Sequence, residues 1–555
     1  MSSPVQTGVK TVLVGPQEKN DMKLKQQELD HYQSEYAKSR ISRREFMGRM
    51  TALGVAGVTA GSLLTAAHRV RAATPKRGGR LRLGWYGHSA NDTLNPNRLT
   101  TSLDFTRTFQ LCSTLVSYGS DLSAEPDLAA SWEASADAKT WRFKIRKGVE
   151  FHHGKSLTVQ DCIYSLNRHR GENSDSIIKA WLSSITELKA DGDYLVVSLD
   201  SPTADLPMYF GDMHAAIMPD GHTDFDNMIG TGPFKLKSFK PGVGMLAVRN
   251  GSYHFDQYPY VDEVESFGIA DTAARVNALL AGDIHFTVRV DPKSIAIING
   301  APGVTMANAK SSRHLTYPMM VDQKPTDNLE LRRALRLMVD RQAVLKNVQK
   351  GFGAIGNDTP IGPADRYWCK ELPQRDIDLD KAKFHLKQAG MTGQTINLHT
   401  SPAAGGVQSV DMALLIRESA AKIGFNIHVV REPTDGYWSN VWMKRPFHGS
   451  NWMPRPTADL RFSLTYISGA KWNEAHWYDE KFDSLIKEAR GVLDGPKRYE
   501  LYCEAQKIMW DKGGSIIPLF TDWLDARADK LGGWSAHPVG EGDGFKLSHW
   551  AWLES

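Results

Sequence analysis

Cysteine is scarce in this sequence. Cys112, Cys162, Cys369 and Cys503 are spread over 555 positions without any C-x-x-C spacing, which excludes a structural zinc site of paired spacing and a dense disulfide framework. Cys112 in LCSTLV and Cys162 in an apolar helical pattern read as small core residues, while a disulfide between any two of the four stays open. Long hydrophobic runs are equally rare. Only Met50–Ala67 (MTALGVAGVTAGSLLTAA) approaches the roughly 18 residues of a membrane span, and its Gly, Ala and Thr content makes a poor permanent anchor. Charge of one sign is missing too, with 67 Lys and Arg against 63 Asp and Glu. The first 72 residues hold 11 basic and 6 acidic side chains, so the remainder carries 56 and 57. With no basic excess beyond the leader, the electrostatic case for nucleic acid falls.

Catalytic and phosphate motifs are also absent. The sequence has no G-x-S-x-G elbow and no H-E-x-x-H. Gly148–Ser156 (GVEFHHGKS) places five residues between its glycines where a P-loop has four, and it sits on strand-like sequence. Gly242-Val243-Gly244 with Ala247 is followed by an alternating run where a dinucleotide fingerprint requires a helix. His152 and His153 are adjacent on a strand-like segment and point to opposite faces, so they do not converge on one ion. No metal, no cofactor and no catalytic residue is therefore expected.

What is present is a long chain of ordinary globular composition, 41% hydrophobic and 23% charged, several times the size of a typical domain of about 100–200 residues. The leader has signal-peptide order: Ser42-Arg43-Arg44-Glu45-Phe46-Met47, the weakly apolar stretch, then Val70-Arg71-Ala72. Arg43, Arg44 and Phe46 resemble a twin-arginine export signal, preceded by an unusually long n-region. The expectation is export to the periplasm through the twin-arginine machinery, with cleavage near Ala72. No cysteine follows that point to carry a lipid.

Further on, Arg80–Tyr86 alternates like a strand, and Thr140–Phe151 sets Trp141, Phe143 and Ile145 against Arg142, Lys144 and Arg146, as in an antiparallel sheet with one wet face. Thr158 opens a helix, with Asp161 in capping-box position. Thr395–His399, Val410–Ile423 and Phe425–Val430 read as strand, helix and strand, a right-handed crossover closed by Gly424. Helices are predicted at Leu329–Val339, Asp380–Ala389, Glu480–Arg490 and Pro496–Asp511. Strands and helices mix without a fixed period, which gives two α/β or α+β lobes.

From Trp132 to Arg168 the chain resembles the family 5 extracellular solute-binding proteins, the dipeptide-, oligopeptide- and nickel-binding components of ABC importers. Trp132, Ser135, Asp137, Phe143, Arg146, Gly148, Val149, Phe151, His152, Gly154, Thr158, Asp161, Ser165 and Arg168 carry the match. Gly230-Thr231-Gly232-Pro233-Phe234, Tyr258-Pro259-Tyr260-Val261-Asp262, Leu331-Arg332-Arg333-Ala334-Leu335 and Phe482-Asp483 follow in order. The resemblance implies a two-lobe periplasmic-binding-protein clamshell of the large, class II-like peptide-binding type. Lobe I would be discontinuous, from residues 73–269 plus 520–555, with lobe II at 270–519. It also implies a monomer that closes on a small-molecule ligand and is recognised by an ABC permease in the inner membrane.

In peptide-binding members an acidic residue after a Gly-Trp pair meets the ligand's α-ammonium. Here Asn451-Trp452-Met453-Pro454-Arg455-Pro456-Thr457-Ala458-Asp459 occupies that segment, and Thr457 falls at the ammonium position. A Thr cannot neutralise an ammonium, whereas Arg455 favours a carboxylate or phosphate. The expected ligand is a peptide-like or opine-like carboxylated molecule. Arg455 would pair with its carboxylate and Asp459 with an amine or hydroxyl. Trp452, Tyr437 and Trp438 would supply packing, Met320 a soft wall and His88 a lobe I loop contact. Trp438 and Trp442, four apart, equally suit one buried helix face; His88 and Asp104 equally suit plain loop positions. An oligosaccharide or a metal chelate in the same fold is the alternative, and a secreted hydrolase using Asp459 with a second carboxylate comes third.

Overall fold

The computed structural model describes residues 75–554, so Arg43, Arg44, Phe46 and the cleavage point near Ala72 lie outside the described residues. Residues Arg77–Leu553 form one unit. Its first element is the expected strand, Arg80–Trp85, in which Leu81, Leu83 and Trp85 are fully buried. This strand runs parallel to Glu263–Gly268 on one side and Phe286–Thr287 on the other. In full, the seven-stranded sheet has the spatial order 304–309, 523–528, 286–287, 80–85, 263–268, 244–249, 234–240. The helix Ser102–Leu111 covers it, and its Leu103, Phe109 and Leu111 join the sheet's buried face in one apolar cluster.

A four-stranded antiparallel sheet, in the order 129–134, 140–145, 194–199, 185–191, follows the alternation read from TWRFKI. Trp141, Phe143 and Ile145 are buried while Thr140 and Lys144 face water. The helix Val159–Asn167 starts where Thr158 and Asp161 predict. Asp161 N–H donates to Thr158 Oγ1 at 3.4 Å and Thr158 N–H to Asp161 Oδ2 at 2.8 Å. Gly232 is required by close approach, because a Cβ there would lie 2.4 Å from the backbone carbon of Leu111.

The remaining half is built on a second four-stranded sheet, ordered 353–355, 515–521, 314–318, 450–452. Beside it lie the parallel strands Thr395–Thr400 and Asn426–Arg431, joined by the helix Val407–Ala421 as their spacing predicts. Helices Leu329–Leu337, Leu379–Gln388, Glu480–Gly491 and Gly495–Lys512 fall within a few residues of expectation. This half has two apolar clusters of its own, one around Tyr317, Leu335, Leu398 and Ile416, the other around Phe462, Phe482, Tyr502 and Met509.

The sheet pairing runs past the expected lobe boundary at residue 269. Val304–Ala309 pairs along its whole length with Trp523–Ala528, and Phe286–Thr287 lies beside Arg80–Trp85, so 270–309 belongs to the seven-stranded sheet. The chain changes sheets between Ala309 and His314 and returns between Thr521 and Trp523. Nothing in the local alternation at Glu263–Gly268 signals that the next two strands, Phe286–Thr287 and Val304–Ala309, return to the same sheet.

Cys369 and Cys503 form a disulfide with Cα atoms 4.8 Å apart, and Cys112 and Cys162 are buried and free. Glu371 lies against the same two sulfur atoms. Among the described residues, no helix is long and apolar enough to cross a membrane.

Candidate functional site

The short strand Ser450–Trp452 pairs with His314–Thr316, which sets Trp452 at the end of the second sheet, beside the loop that carries Arg455. Trp452 is buried and its indole N–H donates to Glu474 Oε1 at 2.9 Å. The indole of Trp442 donates to the other oxygen of the same carboxylate, also at 2.9 Å. Burial pushes the Glu474 carboxyl up, and the two indole donors oppose that shift. Trp442, Trp452 and Trp472 form a continuous aromatic wall, with ring centroids 6.5 and 5.9 Å apart.

Two guanidiniums lie at this wall. Arg461, one turn into the helix Ala458–Thr465, places its Cζ 5.2 Å over the Trp452 ring. It donates to the carbonyl of Met453, and its Nη1 is buried without a partner. Burial, with Arg455 nearby, pulls its pKa down to about 9. Among the described residues, Arg455 donates only to the carbonyl of Pro454, at 3.3 Å, and its Nε is buried without a partner. Burial lowers its pKa as well, and Asp212 partly offsets the effect.

Asp212 belongs to the other half of the molecule. Its Oδ1 lies 2.5 Å from His214 Nδ1, and His214 Nε2 lies 3.0 Å from the carbonyl of Leu99. An acceptor at each ring nitrogen favours the protonated imidazole. Burial disfavours that charge, but Asp212 outweighs it and raises the His214 pKa. Asp212, despite its burial, is held below the usual carboxylate range by His214 and by Arg455. Arg455 thus faces an Asp–His pair contributed from across the cleft.

The sequence-predicted site residues divide. Arg455 and Trp452 lie in this cluster. Trp438 is exposed and stacks edge-on against Trp442 with centroids 5.6 Å apart, so the two do not form a buried helix face. Asp459 differs from the expectation of a free carboxylate at the wall: it is buried, Arg490 Nε sits 3.1 and 3.2 Å from its two oxygens, and Ser463 donates to it at 3.2 Å and Tyr209 at 3.3 Å. Tyr437 differs too, being a core residue whose hydroxyl donates to the carbonyl of Gly449 at 2.7 Å. Met320 is fully buried, with its backbone N–H on Pro446, and lines no open wall. His88 packs against Gly268, where an added Cβ would lie 2.1 Å from its own. Asp104 caps the helix Ser102–Leu111. Thr457, at the expected ammonium position, is the N-cap of the helix Ala458–Thr465 and accepts from Leu460 N–H at 3.2 Å. His152 lies 3.2 Å from the carbonyl of Gly232 and is kept neutral by burial, its pKa near 4.

Sequence reading missed Arg461, Glu474, Trp472, Asp212 and His214. Arg461 carried a usable signal, since it lies six residues beyond Arg455 on the same segment. Glu474 and Asp212 carried none, because only tertiary packing brings them to the tryptophans and to Arg455.

Comparison with known proteins places this geometry. The model of bacterial extracellular solute-binding proteins, family 5 Middle, matches residues 123–474. The dipeptide-binding protein of Escherichia coli K12 is 26% identical over 458 residues, covering 75% of this chain and 84% of that protein. Among solved structures, HbpA2 from Haemophilus parasuis superposes with a TM-score of 0.77 at 21% identity, covering 86% of this chain and all of that one. The PBP AgaA of A. tumefaciens R10, in complex with agropinic acid, superposes at 0.70 with 22% identity, covering 86% and 99%. The fold is therefore the two-lobe clamshell.

Proposed function

From the premise that this chain belongs to the family 5 bacterial extracellular solute-binding proteins, we propose that it is the periplasmic receptor of an ABC importer. It captures a small peptide-like or opine-like molecule and delivers it to an inner-membrane permease by hinge closure, without chemical change to the solute. The observation that carries the ligand class is the pair of guanidiniums, Arg455 and Arg461. Each keeps a buried N–H without a partner beside the Trp442–Trp452–Trp472 wall. Unpaired guanidinium donors next to an apolar wall suit a carboxylate on a partly apolar body. Asp212, across the cleft, keeps the net charge low and offers an acceptor to the same solute's amine.

Closure works because contacts to both lobes exist together only in the closed form, so a solute shifts the equilibrium by its differential contact energy. The segments that bend are those where the chain changes sheets, 310–313 and 521–522. Arg43, Arg44 and Phe46 direct export by the twin-arginine route, the mature chain begins after Ala72, and it works as a monomer. N-terminal sequencing of envelope material tests the cleavage point, and Arg43→Lys/Arg44→Lys should hold the chain in the cytoplasm.

The binding experiment is a thermal-shift screen of the mature chain, stripped of carried ligand, against di- and tripeptides, sugar–amino acid conjugates, oligosaccharides and nickel chelates. A solute at a hundred times its Kd stabilises the bound state by roughly 2.7 kcal/mol. Arg455→Ala should weaken a carboxylated hit at least about tenfold, the loss of one charge-assisted bond. Response to oligosaccharides or chelates alone would keep the family and overturn the ligand class.

A further inference from the structure

A cavity of about 170 Å³ lies where the chain changes sheets, lined from one half by Thr272, Arg289 and Val290 and from the other by Leu315, Gln349 and Gln408, with Arg313 and Trp523 on the connecting segments. It is separate from the tryptophan wall. Along the crossing strand His314 pairs with Trp452 and stacks on Phe520, whereas Arg313 and Leu315 alternate with it onto the opposite face. The space opens to solvent and is large enough for a small oxyanion together with hydration water.

The charges around it are unevenly matched. Arg289 is paired with Glu541, donates to Ser102 Oγ at 3.3 Å and lies 4.5 Å over the Tyr86 ring. Asp522 is paired with Lys310 at 3.0 Å, and Asp291 caps the turn Pro292–Ser294. Arg313 has no such partner. Among the described residues, its guanidinium makes no hydrogen bond and no ion pair, and its Cζ lies 5.7 Å from the Trp523 ring centroid. Burial and the neighbouring Arg289 pull its pKa down to about 10, so it remains charged at neutral pH. Gln349 is only 5% exposed, and its side-chain amide likewise makes no hydrogen bond to a described residue. The Arg313 guanidinium and the Gln349 amide thus face one solvent-reached cavity with no hydrogen bond to a described residue, both free to meet a solute there.

We propose that this cavity is a second binding site, for a small oxyanion held by the guanidinium of Arg313 and the amide of Gln349, with Arg289 reinforcing the positive field. Because both halves of the molecule line it, an anion there is bound best in one arrangement of the lobes, and its affinity is coupled reciprocally to that of the solute. The anion is either free inorganic phosphate or sulfate, or the far carboxylate of a long solute reaching past the crossing strands.

The test is the thermal midpoint and calorimetric titration of the mature chain with inorganic phosphate, against chloride at matched ionic strength. Phosphate at 10 mM should raise the midpoint by at least about 2 °C. Arg313→Gln should lower phosphate affinity at least tenfold, and Arg455→Ala should leave it unchanged. If Arg313→Gln does not fold, Gln349→Leu is titrated in its place and should weaken phosphate severalfold. Phosphate and a solute from the screen should bind together, which identifies a free anion; competition between them identifies the solute's own carboxylate, and Arg313→Gln should then weaken that solute. No phosphate response, or a response that survives both Arg313→Gln and Gln349→Leu, overturns the proposal. A response lost in Arg455→Ala instead would assign the anion to the tryptophan site and overturn this one. Failure of every solute in the screen would leave the phosphate result standing, so the two readings fail separately.

Discussion

The hydroxyl of Tyr209 donates to the carboxylate of Asp459 at 3.3 Å, across 250 residues of chain and across the boundary between the two halves of the molecule. The contact has company. Asp205 and Arg498 form a buried ion pair, Ala204 N–H donates to the carbonyl of Arg490 at 2.8 Å, and Leu460 packs into the apolar cluster of the antiparallel sheet. Residues 204–209 thus bridge to helices 458–465, 480–491 and 495–512, and we read this bridge, Asp459 included, as a latch whose role the following variants test.

Tyr209→Phe removes one hydrogen bond of this latch and should cost about 1 kcal/mol. Since the bond exists only with the lobes together, the loss should appear as a larger open fraction of the solute-free chain by small-angle scattering. Asp205→Asn leaves Arg498 buried without its countercharge and should cost about 3–5 kcal/mol in the latched state. An unchanged scattering profile in both variants would show that the latch does not govern opening.

Much of the architecture was legible because it rests on local rules. The alternation in TWRFKI, the capping box at Thr158 and Asp161, and the apolar spacing of Val410–Ile423 each encode their own element, the last observed as the helix Val407–Ala421. The site was less legible, for a physical reason. Asp459 reads as an acidic residue near a tryptophan, and nothing in sequence reveals that Arg490 pairs with it and Tyr209 donates to it. Tyr437 looks like an aromatic free to stack, yet the carbonyl of Gly449 buries its hydroxyl in the core. The late lobe boundary escaped for a similar reason, since pairing of 304–309 with 523–528 joins segments more than 200 residues apart.

The Cys369–Cys503 disulfide closes a loop across a separation of 134 residues. On the chain-entropy account, removing it relaxes the unfolded state by about 5 kcal/mol, an upper figure because unfolded chains keep some structure. Cys503→Ala, or reductant on the native chain, should therefore lower the thermal midpoint by several degrees while leaving solute affinity within about twofold. A midpoint indifferent to reductant would show that the bridge adds no stability.

Glu474 accepts from two indoles and holds the aromatic wall in one orientation. Glu474→Gln keeps its volume but turns one acceptor into a donor, so the Trp442 and Trp452 N–H groups cannot both be satisfied. An unsatisfied buried donor costs about 1–3 kcal/mol. The readout is tryptophan fluorescence, expected to shift in the free protein, together with weaker solute binding. Retained binding with an unshifted spectrum would remove the wall from the ligand site.

The Asp212–His214 pair gives stability a definite pH window. The His214 pKa is raised above its ordinary value of about 6.5, so its stabilisation is complete below that value and lost as pH rises through the higher folded pKa. Asp212 is lowered, so its share is present above its ordinary value and lost only as pH falls through the depressed one. Of the groups facing the imidazole, Arg455 opposes its charge and Asp212 supports it, while His169 is held neutral by burial, its pKa near 3. The pair should therefore stabilise most between about pH 4 and 6.5. His214→Gln should cost about 1.5–3 kcal/mol at pH 6 and progressively less as pH rises and the native imidazole gives up its proton. Thermal midpoints of both chains across pH 5 to 9 test this directly, and curves that run parallel would show that His214 is not the group that titrates.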